Sequence, residues 1–299
     1  MTEYTQNKTI IERTIDYYVR NVSRENQERA WKWTFRFFVG VTVFVIGFPT
    51  YVMVKSALQP EITLFSNTFN WLPPAVTLEN FAALFGGTNF WTFYINSIIA
   101  ALGTMVISVT AATLAGYSLT RFSFPGKKRL AQSVLFSYMF PPLLLALPMF
   151  MIWRDLGMIN SYPGIILAHS ARSLPFDIWL MWKFFQTVPI SYEESAWVYG
   201  AGRLRAMRDV AIPMALPGII AVSIFSFAIS WSDFTLANLL LTQEAMKTLP
   251  IGMLGFIEQQ AVNWGLIMTA SVMMAIPAFL LVYFLQSYLL RGFSVGGLG

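Results

Sequence analysis

The chain has 299 residues, of which 56% are AVILMFWYC and only 12% are charged, with a formal net charge of +5. A soluble domain carries about a quarter charged residues, so this composition argues against one and in favour of a membrane protein. The absence of cysteine excludes disulfides, thiolate metal sites and cysteine nucleophiles, and a single histidine, His169, speaks against a histidine-rich metal centre.

In chain order, Ile11, Ile15, Tyr18 and Val22 form one apolar stripe at helical spacing, with Arg13, Asp16 and Arg20 on the other faces. Residues 1–33 therefore read as a cytoplasmic amphipathic segment lying on the membrane surface or on a partner, and residues 34–299 as a transmembrane domain. The first thirty residues lack the short apolar core and cleavage site of a signal peptide, so the first span is expected to stay in the mature protein. Five charge-free stretches, with a largely apolar one that contains Arg172 and Asp177, place six helical spans at about Phe35 to Val54, Tyr94 to Leu119, Leu130 to Trp153, Pro163 to Trp182, Val210 to Trp231 and Trp264 to Leu290. Each approaches the ~20 residues that cross a bilayer. Between the first two spans, Trp71, Pro73, Pro74, Gly86 and Gly87 predict irregular or short helical structure. Along the second span, Thr104, Ser108, Ala112 and Gly116 present a small-residue face for close packing, expected within the same subunit. Pro141, Pro142 and Pro148 interrupt the third span and suit either a moving cavity or simple kinks.

With both termini in the cytoplasm, every Lys and Arg except Lys55, Arg154, Arg172 and Lys247 falls inside, which sets the orientation by the positive-inside rule and assigns the basic charge to membrane topology rather than to nucleic acid. The fold class expected is an all-α membrane protein of six transmembrane helices with a cytoplasmic helix between the fourth and fifth. That helix lies in the polar segment from about Lys183 to Asp209. Pro189 and Ser191 precede Glu193 and Glu194, so a helix can start there with acids in its positive first turn, while Gly200, Ala201 and Gly202 leave room for close approach or a break.

In these residues the sequence resembles the inner-membrane permeases of ATP-binding-cassette importers. Their signature reads Glu-Ala-Ala, three residues, Gly, nine residues, then Ile, any residue, Leu-Pro. The counterparts are Glu194, Ser195 and Ala196, then Gly200, then Val210, Ile212 and Pro213 at unchanged spacing, with Tyr199 where aspartate is common. Further segments are similar to the carbohydrate branch and its maltose-type permease: Asn96-Ser97-Ile98, Arg121 with Phe124-Pro125-Gly126-Lys127, Met139-Phe140-Pro141, Leu174-Pro175-Phe176, Trp231 with Asp233-Phe234, and Lys247-Thr248-Leu249-Pro250.

The resemblance implies a heteromeric, prokaryotic, multi-pass importer of the cytoplasmic (inner) membrane that moves sugars or oligosaccharides, while Arg172, assisted by His169, adds acidic oligosaccharides as candidate solutes. Its other members are a second related permease, two cytoplasmic ATPase subunits that bind ATP and Mg, and an extracytoplasmic solute-binding protein. This chain is expected to be a transport subunit, not an enzyme, with no cofactor of its own. Gly126-Lys127 lacks the upstream glycine and the following Ser or Thr of a phosphate-binding loop. Residues Glu193, Glu194, Ser195, Ala196, Gly200, Ala201, Val210, Ile212 and Pro213 are then the expected ATPase-coupling set. The alternatives are a permease for another polar solute, an ion-coupled secondary transporter using His169, Arg172 and Asp177, and an intramembrane enzyme, for which no nucleophile and base constellation is evident.

His169, Arg172, Asp177, Trp231 and Asp233 are the substrate-pathway candidates. His169, Arg172 and Ser173 share one face of the fourth span, and Arg172 falls near mid-membrane, where an unpaired charge is costly. Arg172 either offers charged hydrogen bonds to a polar solute or is paired structurally with Asp177, with Pro175 bending the helix to bring the two together.

Overall fold

The computed structural model describes residues 10–65, 70–258 and 261–296. The chain divides into two compact units, residues 1–55 and 56–299. In the first, a helix of 48 residues, α1 (Ile10–Ala57), begins and extends into the second. The side chains of Ile11, Ile15, Tyr18 and Val22, on which the predicted amphipathic stripe depends, lie outside the described residues.

The rest of the second unit is almost entirely helical: α2 (Glu61–Leu64), α3 (Glu79–Gly87), α4 (Phe90–Arg121), α5 (Lys127–Ser137), α6 (Pro142–Asp155), α7 (Tyr162–Thr187), α8 (Ser191–Val198), α9 (Arg203–Ala206), α10 (Ile212–Met214), α11 (Leu216–Trp231), α12 (Thr235–Leu240), α13 (Leu249–Gly252) and α14 (Trp264–Gly296). A two-residue hairpin, β1 (Ile257–Glu258) with β2 (Ala261–Val262), pairs antiparallel in the register Ile257 to Val262. Among the described residues, three helical stretches are long and apolar enough to cross a bilayer, Glu28–Ala57, Phe90–Arg121 and Trp264–Ser287. α7 fails that test on apolarity because it carries His169, Arg172, Asp177 and Lys183, yet its 26 residues reach about 39 Å at the helical rise.

Two expected spans are not continuous. The third is split between α5 and α6 by a 95° bend, and the fifth is bent by 74° between Arg203–Met214 and Leu216–Trp231. The break in the third follows from Pro141 and Pro142: neither donates an N–H, and the residue before a proline is driven to extended backbone, as Pro141 shows with ψ 132°. Pro148, by contrast, sits inside α6 without ending it.

α4, α7, α11 and α14 form the core. The small-residue face of α4 packs against α7 in the same subunit: Thr104, Ser108, Ala112 and Gly116 are all buried. Ser108 and Ser173 share a 2.8 Å hydrogen bond. At Gly116 the helices approach so closely that a Cβ would lie 2.7 Å from Met181 Cβ and 2.8 Å from backbone. Below this point Ala112, Tyr117, Met181, Phe185, Met207 and Ala211 make one apolar cluster; at the other end of α4, Phe90 and Phe93 join Leu84, Leu249 and Phe256 in another. Asn96 and Ser97 hold residues 245–249 to α4, since Asn96 Nδ2 donates to the carbonyls of Ala245 and Lys247, both at 2.9 Å, and Ser97 Oγ accepts the N–H of Leu249 at 2.8 Å.

Gly116→Ala is expected to destabilise by about 1 to 3 kcal/mol, because the obstructing atoms are backbone and a Cβ that cannot rotate away. Gly86→Ala, which meets nothing within 4 Å, is the control and leaves stability nearly unchanged. Thermal unfolding of the two purified variants checks the difference.

Candidate functional site

Two sets of residues carry chemistry, one at the segment between α7 and α11 and one inside the helix bundle. In the first, α8 starts at Ser191 with Glu193 and Glu194 in its first turn, as the sequence predicts. The two acids part company in space. Glu194, Ser195, Tyr192 and Tyr199 are exposed, whereas Glu193 is fully buried. Its Oε1 accepts from Arg121 Nε at 2.6 Å, its Oε2 accepts from Tyr117 Oη at 2.7 Å, and Arg121 Nη2 also donates to the carbonyl of Val188 at 2.9 Å. A buried carboxylate and a guanidinium, 0% and 9% exposed, thus fasten α8 to the end of α4. Tyr117 and Arg121 were not among the predicted coupling residues, although Arg121 belongs to the Arg121-to-Lys127 motif and so carried a signal.

α8 ends in a Schellman motif: the N–H of Ala201 bonds to the carbonyl of Ala196 at 3.0 Å and the N–H of Gly200 to that of Trp197 at 2.9 Å. Gly200 takes the left-handed conformation this demands, φ +85°, and a Cβ there would meet nothing within 4 Å. Of the two roles expected for Gly200, close approach or a break, the left-handed turn gives the break, and backbone handedness requires glycine there. Val198, Tyr199 and Leu204 flank the turn at 85%, 92% and 75% exposure, an apolar surface beside Arg203 and Arg205. Val210 lies in one π-helical turn, Met207–Ala211, ahead of Ile212 and Pro213 at the 74° bend. Pro213 and Pro217 both lack the N–H that would keep an α-helical ladder straight, which accounts for an elbow at this place. Ile212 packs on the Phe185 cluster from this elbow, and Pro213 is exposed.

In the second set, His169 and Asp233 are buried and Arg172 is partly exposed. Arg172 pairs with Asp233, not with Asp177: its Nη1 lies 2.5 Å from Asp233 Oδ2. His169 places Nδ1 2.7 Å from Ser230 Oγ and Nε2 3.3 Å from Asp233 Oδ1. The same Oδ1 accepts the backbone N–H groups of Leu236 and Ala237 in the first turn of α12, at 2.9 and 3.1 Å. Asp233 is thereby saturated by four donors or ring contacts. Asp177 is fully buried elsewhere on α7, which runs unbroken through Pro175. Five residues turn a straight helix by about 140°, so Asp177 is carried away from the Arg172 face.

Trp231 lies apart from this cluster in its contacts. It is 4% exposed, stacks on Phe227 at 5.6 Å, meets Tyr94 edge-on and donates from Nε1 to the carbonyl of Met274 at 2.9 Å, so it joins α11 to α14. Asn160 was not anticipated. With φ 55°, it accepts the N–H groups of Thr242 and Gln243 on Oδ1 at 2.7 and 2.9 Å, and its own N–H donates to the carbonyl of Leu240 at 2.9 Å. The short buried helix α12 is consequently held at both ends by residues in or just before α7, Arg172 and His169 at its start and Asn160 at its finish. Only its residue type, tolerant of left-handed backbone next to a turn, hinted at this role.

Removing Glu193 strands Arg121 in a buried place, so Glu193→Ala is expected to cost about 3 to 5 kcal/mol. Glu194→Ala stays within about 0.5 kcal/mol, as for other exposed sites. Tyr117→Phe, which leaves one carboxylate oxygen without its donor, falls between at about 1 to 3 kcal/mol. Thermal unfolding of the three variants orders them; equal losses at Glu193 and Glu194 would contradict the clamp.

Comparison with known proteins bears on both sets. Residues 108–295 match the family of binding-protein-dependent transport system inner membrane components. The chain is 32% identical over 260 residues to the diacetylchitobiose uptake system permease protein DasC of Streptomyces coelicolor, covering 86% of this chain and 94% of that one. Its identity to the trehalose transport system permease protein SugB of Mycobacterium tuberculosis is 32% over 257 residues, 84% of this chain and 93% of the other. In fold it is similar, with a TM-score of 0.76 at 21% identity over 88% of this chain and 97% of the other, to a chain in the crystal structure of a bacterial ABC transporter involved in the import of the acidic polysaccharide alginate. The family match takes in α7, the clamp at Glu193, the elbow and α14, and this chain belongs to the binding-protein-dependent transport system inner membrane components.

Proposed function

We propose that this chain is a permease subunit of an ATP-driven importer of sugars or oligosaccharides, forming half of a translocation pathway by alternating access in the cytoplasmic membrane. The observation that carries the reading is the near full-length match to permeases named for uptake of diacetylchitobiose and trehalose. ATP and Mg belong to two partner ATPase subunits, solute delivery to an extracytoplasmic binding protein, and the other half of the pathway to a second permease. The six passes are α1, α4, the bent pair α5 and α6, α7, α11 with its preceding elbow, and α14. Both termini and α8 then lie with the basic residues on the cytoplasmic side, by the positive-inside rule.

In this reading, α8 and the turn at Gly200 receive the ATPase movement. Three features support it: the exposed apolar surface at Val198, Tyr199 and Leu204, the spacing from Glu194 to Pro213, and the rigid attachment of α8 through Glu193. Displacing α8 drags the inner end of α4 through Arg121 and Tyr117. α4 is packed tightly on α7, and α7 holds α12, so a push on the cytoplasmic face reaches the outer part of the bundle as a rigid-body motion. The elbow at Val210, Ile212 and Pro213 is where α11 can pivot relative to that body.

The complete importer in proteoliposomes is expected to hydrolyse ATP faster when carbohydrate-loaded binding protein is present. Gradient-driven uptake by this chain alone, without ATPases, would refute the proposal. Within the importer, Gly200→Ala imposes about 1 to 2 kcal/mol of left-handed strain on the end of α8 and is expected to lower stimulated hydrolysis and uptake together by about tenfold. Gly200→Asn, which tolerates that backbone, should retain most of both, and equal loss in the two variants would count against the turn as the coupling element.

A further inference from the structure

The bend between α5 and α6 opens a cavity of about 300 Å³ against α7, lined by Tyr138, Phe140, Pro142, Ala171, Arg172 and Pro175 among others. We propose that it is a subsite for a sugar acid, a pyranose ring bearing a carboxylate of the uronate kind, with Arg172 as the carboxylate-binding group. The proposal rests on the carbohydrate-permease reading and names the solute class for this chain.

Three features of the cavity point to that ligand. Arg172 is the only charged group among the described residues that line it. A guanidinium has five N–H donors, and Arg172 gives one nitrogen, Nη1, to Asp233 while a third of its side chain is exposed. The pair with Asp233 uses only Nη1, and the backbone N–H groups and His169 occupy the other carboxylate oxygen, Oδ1, so the remaining guanidinium N–H groups are not drawn to Asp233. Arg172 can therefore keep its structural bond and still present donors in a fork that matches a carboxylate.

The second feature is the prolines. Pro142 and Pro175 cannot donate the i+4 hydrogen bonds that the carbonyls of Tyr138 and Ala171 would receive in a regular helix, and all four residues line the cavity. Within a bilayer such freed carbonyls persist only where protein, water or a cavity satisfies them. In this proposal those carbonyls are the acceptors for ring hydroxyls. The third feature is the aromatic pair Tyr138 and Phe140, whose flat apolar faces suit the C–H face of a pyranose. The volume is at the lower limit of ligand pockets, room for one or two rings of an oligosaccharide at a time. α7 also places Arg172 nine residues beyond Pro163, about 13 Å along the helix and so near mid-membrane in the six-span reading.

The chain has no cysteine, which permits a direct test in the assembled importer. Ala171→Cys and Leu145→Cys each place one thiol at the cavity wall, and the rate of its modification by a methanethiosulfonate reagent is measured with trigalacturonate, with maltotriose, or with neither. Trigalacturonate is expected to slow modification about 10- to 100-fold more than maltotriose, as one charge-assisted interaction would give. Adding Arg172→Gln should abolish that difference and Arg172→Lys should restore part of it. Equal protection by the two sugars, or by neither, in an importer whose ATP hydrolysis still responds to carbohydrate overturns the subsite while leaving the transport reading in place. If no carbohydrate stimulates hydrolysis and neither sugar protects, both fall.

Discussion

The close seam between α4 and α7 is the contact on which the other features depend. It exists because Gly116 has no side chain where Met181 and the backbone of Trp182 press against it, and because Ser108 and Ser173 can bond to each other in the interface. With no water in a bilayer to drive helices together, close van der Waals approach and interhelical hydrogen bonds supply the attraction, so small residues decide which faces meet. At the C-terminal end of α4 Tyr117 and Arg121 are held in place to grip Glu193; from the N-terminal half of α7, His169 and Arg172 reach Asp233.

Of the three carboxylates buried among the described residues, two, Glu193 and Asp233, show one solution to the same problem. A charge removed from water is costly unless each of its acceptor positions is matched. Glu193 is matched by a guanidinium and a phenol, Asp233 by a guanidinium, an imidazole contact and two backbone N–H groups at the start of α12. Each joins segments far apart in the chain, and each binds a short helix, α8 or α12, that has too few residues to hold itself in place. Electrostatic matching therefore turns two short helices into parts of the α4 and α7 body, and it is this property that a transmission mechanism requires.

Prolines divide the remaining spans by what they remove. At Pro141 and Pro142 two consecutive losses of a donor break the third span outright, while single prolines at 148, 175 and 277 remain within helices. The carbonyls freed at these places need partners, and a bundle that encloses a polar cavity can offer them, whereas lipid cannot. The family's Met139-Phe140-Pro141 and Leu174-Pro175-Phe176 segments fall on the two sides of one cavity.

The sequence by itself determined that the chain is apolar and helical, where α4, α7 and α14 run, that a helix begins at Ser191, and that the spacing from Glu194 to Pro213 is that of a transport permease. These are properties of composition, periodicity and local capping, each contained in a few turns of chain. What only the tertiary structure decided is which polar group meets which: Glu193 and not Glu194 is the buried acid, and Arg172 bonds Asp233 and not Asp177. Those pairs are separated by 76 residues for Tyr117 and Glu193 and 61 for Arg172 and Asp233. A helical pattern states which face of a segment avoids lipid, but the partner of that face is chosen by the packing of whole helices, and no local pattern encodes it.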